Sequence, residues 1–196
     1  MSNETAELGL NPQTTALVLI DLQNSVLAMQ TAPYPPADIV SRSAVLAKKC
    51  RELGIPVVLV SVGFRADGKD RLAVPTDTVW RAPAAAAANP TEIAAALEAD
   101  PGDIHILKHQ WGAFYGTDLD LQLRRRGVDT ILLGGIATNF GVESTARDAW
   151  ERAYKVVFVE DAMTSVSAEA HQFSVATVFP RLGRVRSSSQ VLAALV

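Results

Sequence analysis

Apolar positions along the chain form two patterns, short continuous runs and helical stripes, which follow one another in regular order. The continuous runs predict strands that are covered on both faces, as in a parallel sheet. The predicted strands are residues 15–21, 55–62, 103–108, 129–135 and 155–161, with 184–188 as a short edge strand. The predicted helices are residues 37–53, 117–126, a segment after 135 with Val142, Ala146, Ala149 and Ala153 on one face, and 168–179, which ends near Pro180. This alternation predicts one α/β domain over residues 1–196, with a parallel sheet between layers of helices.

Residues 63–100 interrupt this order. The stretch contains several glycines and prolines and an alanine run at 84–88, followed by a predicted short helix near 91–99. A long crossing of this kind is often a lid or a wall of a pocket. A simple spacer would explain the alanine run equally well.

Composition narrows the class of protein. Hydrophobic residues make up 48% and charged residues 20% of the chain, which is typical of a globular protein rather than a disordered one. The net charge of −3 gives little support for nucleic-acid binding. No apolar stretch is long enough to cross a bilayer and the N-terminus lacks a signal-peptide core, so we expect a cytoplasmic protein that does not bind membranes.

The single cysteine excludes an internal disulfide. Cys50 follows two lysines, which could activate a thiol. However, it continues a helical stripe with Ile39, Leu46 and Leu53, so the interpretation that it packs in the core is favoured.

Polar side chains follow the ends of the predicted strands, where ligands collect in an open parallel sheet. Asp21 ends the first strand and Lys108 the third, while Glu160 and Asp161 end the fifth. A carboxylate after five apolar residues needs a partner if it is buried, and Lys108 is the expected one. A functional pair, a plain buried salt bridge and a capping role for Asp21 all remain open.

Metal and nucleotide sites are not expected. His105 and His109 are four residues apart in a predicted strand, which is not a ligand spacing, and His105 is expected to face a helix, while His171 stands alone. Neither GxxxxGK[ST] nor GxGxxG occurs, so no cofactor is predicted. The aromatic residues Trp111, Phe114 and Tyr115 fit either a substrate pocket or the core.

Three segments together resemble the isochorismatase-like hydrolase superfamily, whose amidases are cysteine hydrolases. They are LVLIDLQN (17–24), KHQWGAFYGTDL (108–119) and GIATNFGVESTARDA (135–149), in the family's order over nearly the whole chain. The resemblance implies a six-stranded parallel sheet, a homo-oligomer and a cis peptide at Ile136–Ala137. It also implies that Asp21 and Lys108 match two members of an Asp–Lys–Cys triad, while Gly141 occupies the cysteine position.

Without a thiol no thioester can form, so the resemblance implies a different reaction. True isochorismatases also lack the cysteine and hydrolyse a vinyl ether to pyruvate, with an aspartic acid as general acid; here that role would fall to Asp21, assisted by Lys108. The residues expected to bind a small-molecule substrate are Gln23, Trp111, Phe114, Tyr115, Ile136, Ala137, Asn139 and Phe140.

The same resemblance argues against a metal, because the segment SVGFRADGKD (61–70) lacks the histidine of the nicotinamidases. Arg65, Lys69 and Arg81 could bind a substrate carboxylate, although each fits a solvated surface charge better. Two alternatives remain open: a hydrolase in which Asp21 activates water directly, and an inactive oligomer that binds a small metabolite.

Overall fold

The computed structural model describes residues 8–78 and 89–195. Within these ranges one sheet has six parallel strands in the order β3-β2-β1-β4-β5-β6. The strands are β1 (Thr15–Ile20), β2 (Val57–Val62), β3 (Ile104–Lys108), β4 (Thr130–Ile136), β5 (Lys155–Thr164) and β6 (Gly183–Arg186). The prediction of a parallel α/β sheet is confirmed.

Helices connect the strands. They are α1 (Asn24–Leu27), α2 (Pro36–Glu52), α3 (Leu119–Arg125), α4 (Glu143–Glu151), α5 (Ala168–Phe173), α6 (Phe179–Leu182) and α7 (Ser188–Ala194). Short 3-10 turns lie at Pro12–Thr14 and Ala95–Leu97, and π-helical turns lie at Thr138–Val142 and Ser174–Val178. Gly54 follows α2 at a φ of 69°, a left-handed conformation in which glycine avoids steric strain, as expected for the end of that helix.

Two apolar layers hold the helices to the sheet. On one face Leu17 and Leu19 pack in the cluster that includes α2 and α7, and on the other Val18 and Ile20 pack with α3 and α4. Every residue of β1 is buried. Because both faces of the sheet are covered, the strand is apolar at every position rather than at every second one.

Several sequence expectations need correction. The predicted helix 168–179 does not end near Pro180; helical backbone continues through the π-turn and α6 to Leu182. The proline is near the N-terminus of α6, where its missing N–H is tolerated. The predicted helix near 91–99 is only the 3-10 turn Ala95–Leu97, β5 extends to Thr164, and α7 was not predicted.

His105 does not face a helix, because β3 is an edge strand whose residues alternate between buried and exposed. Its side chain lies on the exposed side, with Leu107. Ile106 and Lys108 point the other way, into the protein. The alanine run at 84–88 and Arg81 lie outside the described residues.

Candidate active site

Asp21 and Lys108 form a buried ion pair at the carboxyl end of the sheet. Lys108 Nζ lies 2.7 Å from Asp21 Oδ2, and the two side chains are 1% and 8% exposed. The same ammonium donates to the Gln110 carbonyl over 3.0 Å. The expected approach of these two residues is thus present in the structure.

Strand order explains why residues so distant in sequence meet. The chain runs from β1 outward through β2 to β3, and then returns to β4 on the other side of β1. Ligands in open α/β sheets bind at such a switch point, beyond the carboxyl ends of the strands. Asp21 follows β1 directly. Lys108 ends β3, roughly 10 Å away across two strand spacings, and its long side chain covers that distance.

The environment of Asp21 shifts its acid–base equilibrium toward the neutral form. Oδ2 accepts from Lys108, but Oδ1 is buried and has no hydrogen-bond partner among the described residues. Burial raises the pKa of Asp21 from 3.8 to about 6, and the Lys108 charge only partly opposes this. The cause is that a carboxylate here would lose water around both oxygens and regain one strong bond. The backbone is also unusual, with a φ of 54° at Asp21.

Gly141 lies next to this carboxyl group, in the π-helical turn that follows β4. A Cβ added at Gly141 would lie 3.3 Å from Asp21 Oδ2, 3.5 Å from the Trp111 carbonyl oxygen and 3.0 Å from Ile20 Cγ2. A side chain at position 141 would therefore touch the acid directly. The structure places Asp21, Lys108 and position 141 together, as the resemblance implies for the triad.

The backbone before the turn also has the expected form. The Ile136–Ala137 peptide is cis. Gly135 has a φ of 125°, and a Cβ there would lie 2.2 Å from the Ile20 carbonyl oxygen. Only glycine permits this approach of β4 to β1, which brings the turn close to Asp21. Ile136 is buried, whereas Ala137 is half-buried.

The predicted aromatic residues do not all lie at the site. Trp111 is 63% and Phe140 is 37% exposed, and their ring centroids are 5.0 Å apart. Both belong to segments that border Gly141. Phe114 instead packs in the core against Tyr154, with ring centroids 5.7 Å apart, and Tyr115 is 75% exposed. The structure thus pairs Trp111 with Phe140 and directs Phe114 away from the site.

Two polar residues expected to bind substrate are engaged within the protein. Gln23 is 1% exposed; its Nε2 donates to the carbonyls of Val62 and Pro90, and its Oε1 accepts from the Val62 N–H. These bonds hold the connection of residues 63–100, at Pro90, close to the end of β2. Asn139 Oδ1 accepts from the Ser165 hydroxyl over 2.5 Å. Both residues shape the site's surroundings.

The crossing is attached to β3 beside Lys108. His109 Nδ1 lies 2.5 Å from the Gly63 carbonyl oxygen and 3.6 Å from Asp70. Of the three candidate carboxylate-binding residues, Arg65 lies 3.8 Å from Asp67 with a side chain that is 77% exposed, and Lys69 is exposed as well. The third, Arg81, is outside the described residues, so the structure brings neither described candidate to Asp21.

Sequence analysis missed the backbone carbonyls of Gln110 and Trp111, which lie beside the Asp21–Lys108 pair and Gly141. Backbone groups carry no residue-type signal, and only the path of the chain reveals them. Thr145 was also missed, although its hydroxyl lies under the turn and donates to the Gly141 carbonyl over 2.7 Å.

The part of the chain that the structure describes contains no group of three His, Cys, Asp or Glu residues placed to hold a metal ion. None of its helices is long and apolar enough to cross a membrane. A cleft of about 690 Å³ lies along α2, but Asp21 does not line it, so chemistry rather than volume identifies the candidate site.

The fold and the site define an α/β protein with an acid–lysine pair at the switch point of a parallel sheet. Comparison with known proteins gives the family: the isochorismatase domain matches residues 15–190. The chain is 51% identical to the uncharacterised isochorismatase family protein YecD of Escherichia coli O157:H7, over 96% of this chain and 100% of that one. The chain therefore belongs to the isochorismatase family.

Two further similarities extend the comparison. An isochorismatase family protein from Burkholderia thailandensis has a solved structure with a TM-score of 0.90, 46% identity, and coverage of 95% of this chain and 97% of that one. The ureidoacrylate amidohydrolase RutB of Methylobacterium radiotolerans is 30% identical, over 87% of this chain and 75% of that one. The sequence-based prediction of family and fold is confirmed.

Proposed function

We propose that this protein hydrolyses a small metabolite without a nucleophile of its own, with Asp21 as the general acid and Lys108 as the group that orients it. The observation that carries the proposal is the buried carboxyl group of Asp21, whose pKa is raised to about 6. This carboxyl group lies next to Gly141, which has no side chain to fill the space beside it. A general acid works best when its pKa lies near the working pH.

Among the described residues, no side chain suited to nucleophilic attack is seen beside Asp21, which supports this reaction class. Cys50 is the chain's one cysteine; it is fully buried in α2, and burial raises the pKa of its thiol to about 12. The Thr145 hydroxyl, near Gly141, is occupied by two backbone partners. Covalent catalysis needs an activated side chain next to a base, and Gly141 provides none beside Asp21.

A vinyl ether of pyruvate is the substrate class that suits a neutral acid. Asp21 would protonate the terminal vinyl carbon, which produces an oxocarbenium ion. Water would then add to that ion, its proton would return to Asp21, and the hemiketal would collapse to pyruvate and the released alcohol. Gly141 leaves space next to the acid, and the exposed rings of Trp111 and Phe140 offer apolar contact for a cyclic substrate.

Pyruvate release from isochorismate tests the proposal. We expect release by the wild type and none by Asp21→Asn, which keeps the shape of the side chain but cannot supply the proton. The matched control is Asp103→Asn, a buried aspartate that pairs with Arg51 at 2.7 Å, just before the opposite end of β3. Loss of activity in both variants, or in neither, would refute the assigned role of Asp21.

Amide hydrolysis is the second candidate, and the similarity to the amidohydrolase RutB favours it. In that reaction Asp21 would act as a base that activates water, so the ionised form would be the active one. The rate would then rise as pH increases through about 6, whereas the acid mechanism requires it to fall. Ammonia release from ureidoacrylate, measured across this range, separates the two reactions.

The family resemblance also implies a homo-oligomer, which we include in the proposal. Light scattering after size-exclusion chromatography tests it against the chain mass of 20.9 kDa. An oligomer that binds isochorismate without releasing pyruvate, and that releases no ammonia from ureidoacrylate, would instead favour the non-catalytic alternative.

A further inference from the structure

The turn that carries Gly141 is held by buried polar side chains from two directions. On one side the hydroxyl of Thr138, the first residue of the turn, lies 2.9 Å from Nδ1 of His171 in α5. On the other side the Thr145 hydroxyl donates to the Gly141 carbonyl over 2.7 Å and accepts from the Ala113 N–H over 3.1 Å. None of the three polar side chains is more than 3% exposed.

Thr145 joins the two chain segments that border position 141. Its bond to the Gly141 carbonyl is the usual one for a helical threonine, to the carbonyl four residues earlier. Its bond to Ala113 is different, because it reaches the loop after β3. That loop includes Trp111, whose carbonyl oxygen would lie 3.5 Å from a Cβ at Gly141. One hydroxyl therefore links the two segments by hydrogen bonds.

His171 holds the other end of the turn without introducing a charge. Burial lowers the pKa of His171, so the imidazole is neutral at neutral pH. A neutral ring can exchange one hydrogen bond with Thr138 through Nδ1. The ring also packs edge-on against Tyr34, with centroids 6.0 Å apart, which restricts its orientation. Neither hydrogen bond involves Asp21 or Lys108, so the catalytic proposal does not use these side chains.

We propose that His171 and Thr145 are positioning residues, which set the distance between the turn at Gly141 and the Asp21 carboxyl. The inference rests on the site of the proposed function but not on its substrate. Position 141 is sensitive to this distance, since a Cβ there would lie 3.3 Å from Asp21 Oδ2. A displacement of about 1 Å in a reacting geometry can change a rate roughly a hundredfold.

A thiol introduced by Gly141→Cys provides a probe that needs no substrate. Its alkylation by iodoacetamide depends on its orientation and on the neighbouring Asp21 and Lys108, which govern how readily it ionises. Cys50 contributes little background, because it is fully buried and its pKa is raised to about 12. The methyl group of Ile20, 3.0 Å from the new Cβ, must move by a few tenths of an ångström.

Paired substitutions in the Gly141→Cys variant distinguish an effect on the position of the turn from an effect on the stability of the fold. Thr145→Val removes the hydroxyl while keeping the side-chain shape, and Thr145→Ser keeps the hydroxyl. His171→Leu removes the nitrogen, and His171→Asn retains a polar atom near the location of Nδ1. We expect the Val and Leu variants to change the alkylation rate constant roughly tenfold and the Ser and Asn variants to stay within about twofold.

Circular dichroism and the Tm establish which variants are folded. Folded Val and Leu variants that alkylate at the parent rate would overturn the proposal, since both residues would then serve stability alone. If His171→Leu does not fold, Thr138→Val breaks the same contact from the other side and replaces it in the comparison.

Crystal structures of the variants without the introduced thiol give a second, direct readout. We expect the Gly141 Cα to move relative to the Asp21 Cγ by more than about 0.5 Å in Thr145→Val, the tolerance typical of a preorganised site. An unchanged distance would reject the proposal even if the thiol in the parent variant were inert. Neither readout requires pyruvate release, so failure of the proposed function would be recognised separately.

Discussion

The pKa of Asp21 makes a quantitative prediction about stability, which bears directly on whether the residue can act as an acid. Folding raises this pKa from 3.8 to about 6. At about 1.36 kcal/mol for each unit, the rise corresponds to roughly 3 kcal/mol. Between these two values the folded protein binds more protons at Asp21 than the unfolded chain does.

The sign follows from this difference in bound protons. Stability falls with rising pH wherever the folded state binds more protons. The contribution of Asp21 to the free energy of unfolding is therefore complete below pH 3.8, and it is lost as the pH rises through about 6. In Asp21→Asn this dependence is absent. We expect the free energy of unfolding of wild type, minus that of the variant, to decrease by about 2 to 3 kcal/mol between pH 4 and pH 8.

Urea unfolding of both proteins across this pH range measures the difference. Asp129→Asn is a control of opposite sign, because hydrogen bonds from Lys155 and Thr130 lower the pKa of Asp129. Asp129 stabilises the fold at pH values above its pKa in the unfolded chain, and this stabilisation is lost as the pH falls. The Asp129→Asn substitution should therefore cost less stability at low pH. A difference for Asp21→Asn that stays flat, or grows with pH, would show that Lys108 keeps Asp21 ionised and would refute the general-acid assignment.

Three further predictions concern the site. Gly141→Cys should yield a thiol that iodoacetamide alkylates. The wild type should resist alkylation, because Cys50 is buried and the pKa of its thiol is raised to about 12. An inert new thiol in a folded protein would count against an amidase-type arrangement. Lys108→Met should move the falling limb of the pH–rate profile above about 6, since the lysine lowers the pKa of Asp21, and an unmoved limb would contradict this coupling. Trp111→Ala should raise KM roughly fivefold with kcat nearly unchanged, because one aromatic contact contributes about 1 kcal/mol, and a loss confined to kcat would argue against a binding role.

The fold was largely predictable because its main elements have strong local signals. Continuous apolar runs mark β1, β2 and β4, since a strand covered on both faces has no polar side. The errors fell where tertiary contacts override local preference. Pro180 suggested a helix end, but the preceding π-turn accommodates it and the helical backbone continues. His105 was misplaced because nothing in the sequence showed that β3 is an edge strand.

The candidate site was predictable in part. Asp21 stood out as a carboxylate at the end of an apolar run, and Lys108 as a cation in the equivalent position. The aromatic side chains could not be sorted in the same way. Trp111 and Phe114 are three residues apart in one loop, yet one contacts Phe140 at the surface and the other packs against Tyr154 in the core.

By itself, the amino-acid sequence determined the class of sheet, the family motifs and the lack of a thiol at position 141, because each of these depends on residue type and local order. Tertiary structure alone decided how the charges behave. Whether Asp21 acts as an acid or only as an ion-pair partner depends on how deeply it is buried and on the 2.7 Å bond from Lys108. It also depends on Oδ1, which has no hydrogen-bond partner in the part of the chain that the structure describes. Those quantities arise from segments 87 residues apart that meet across the sheet, and no local pattern encodes them.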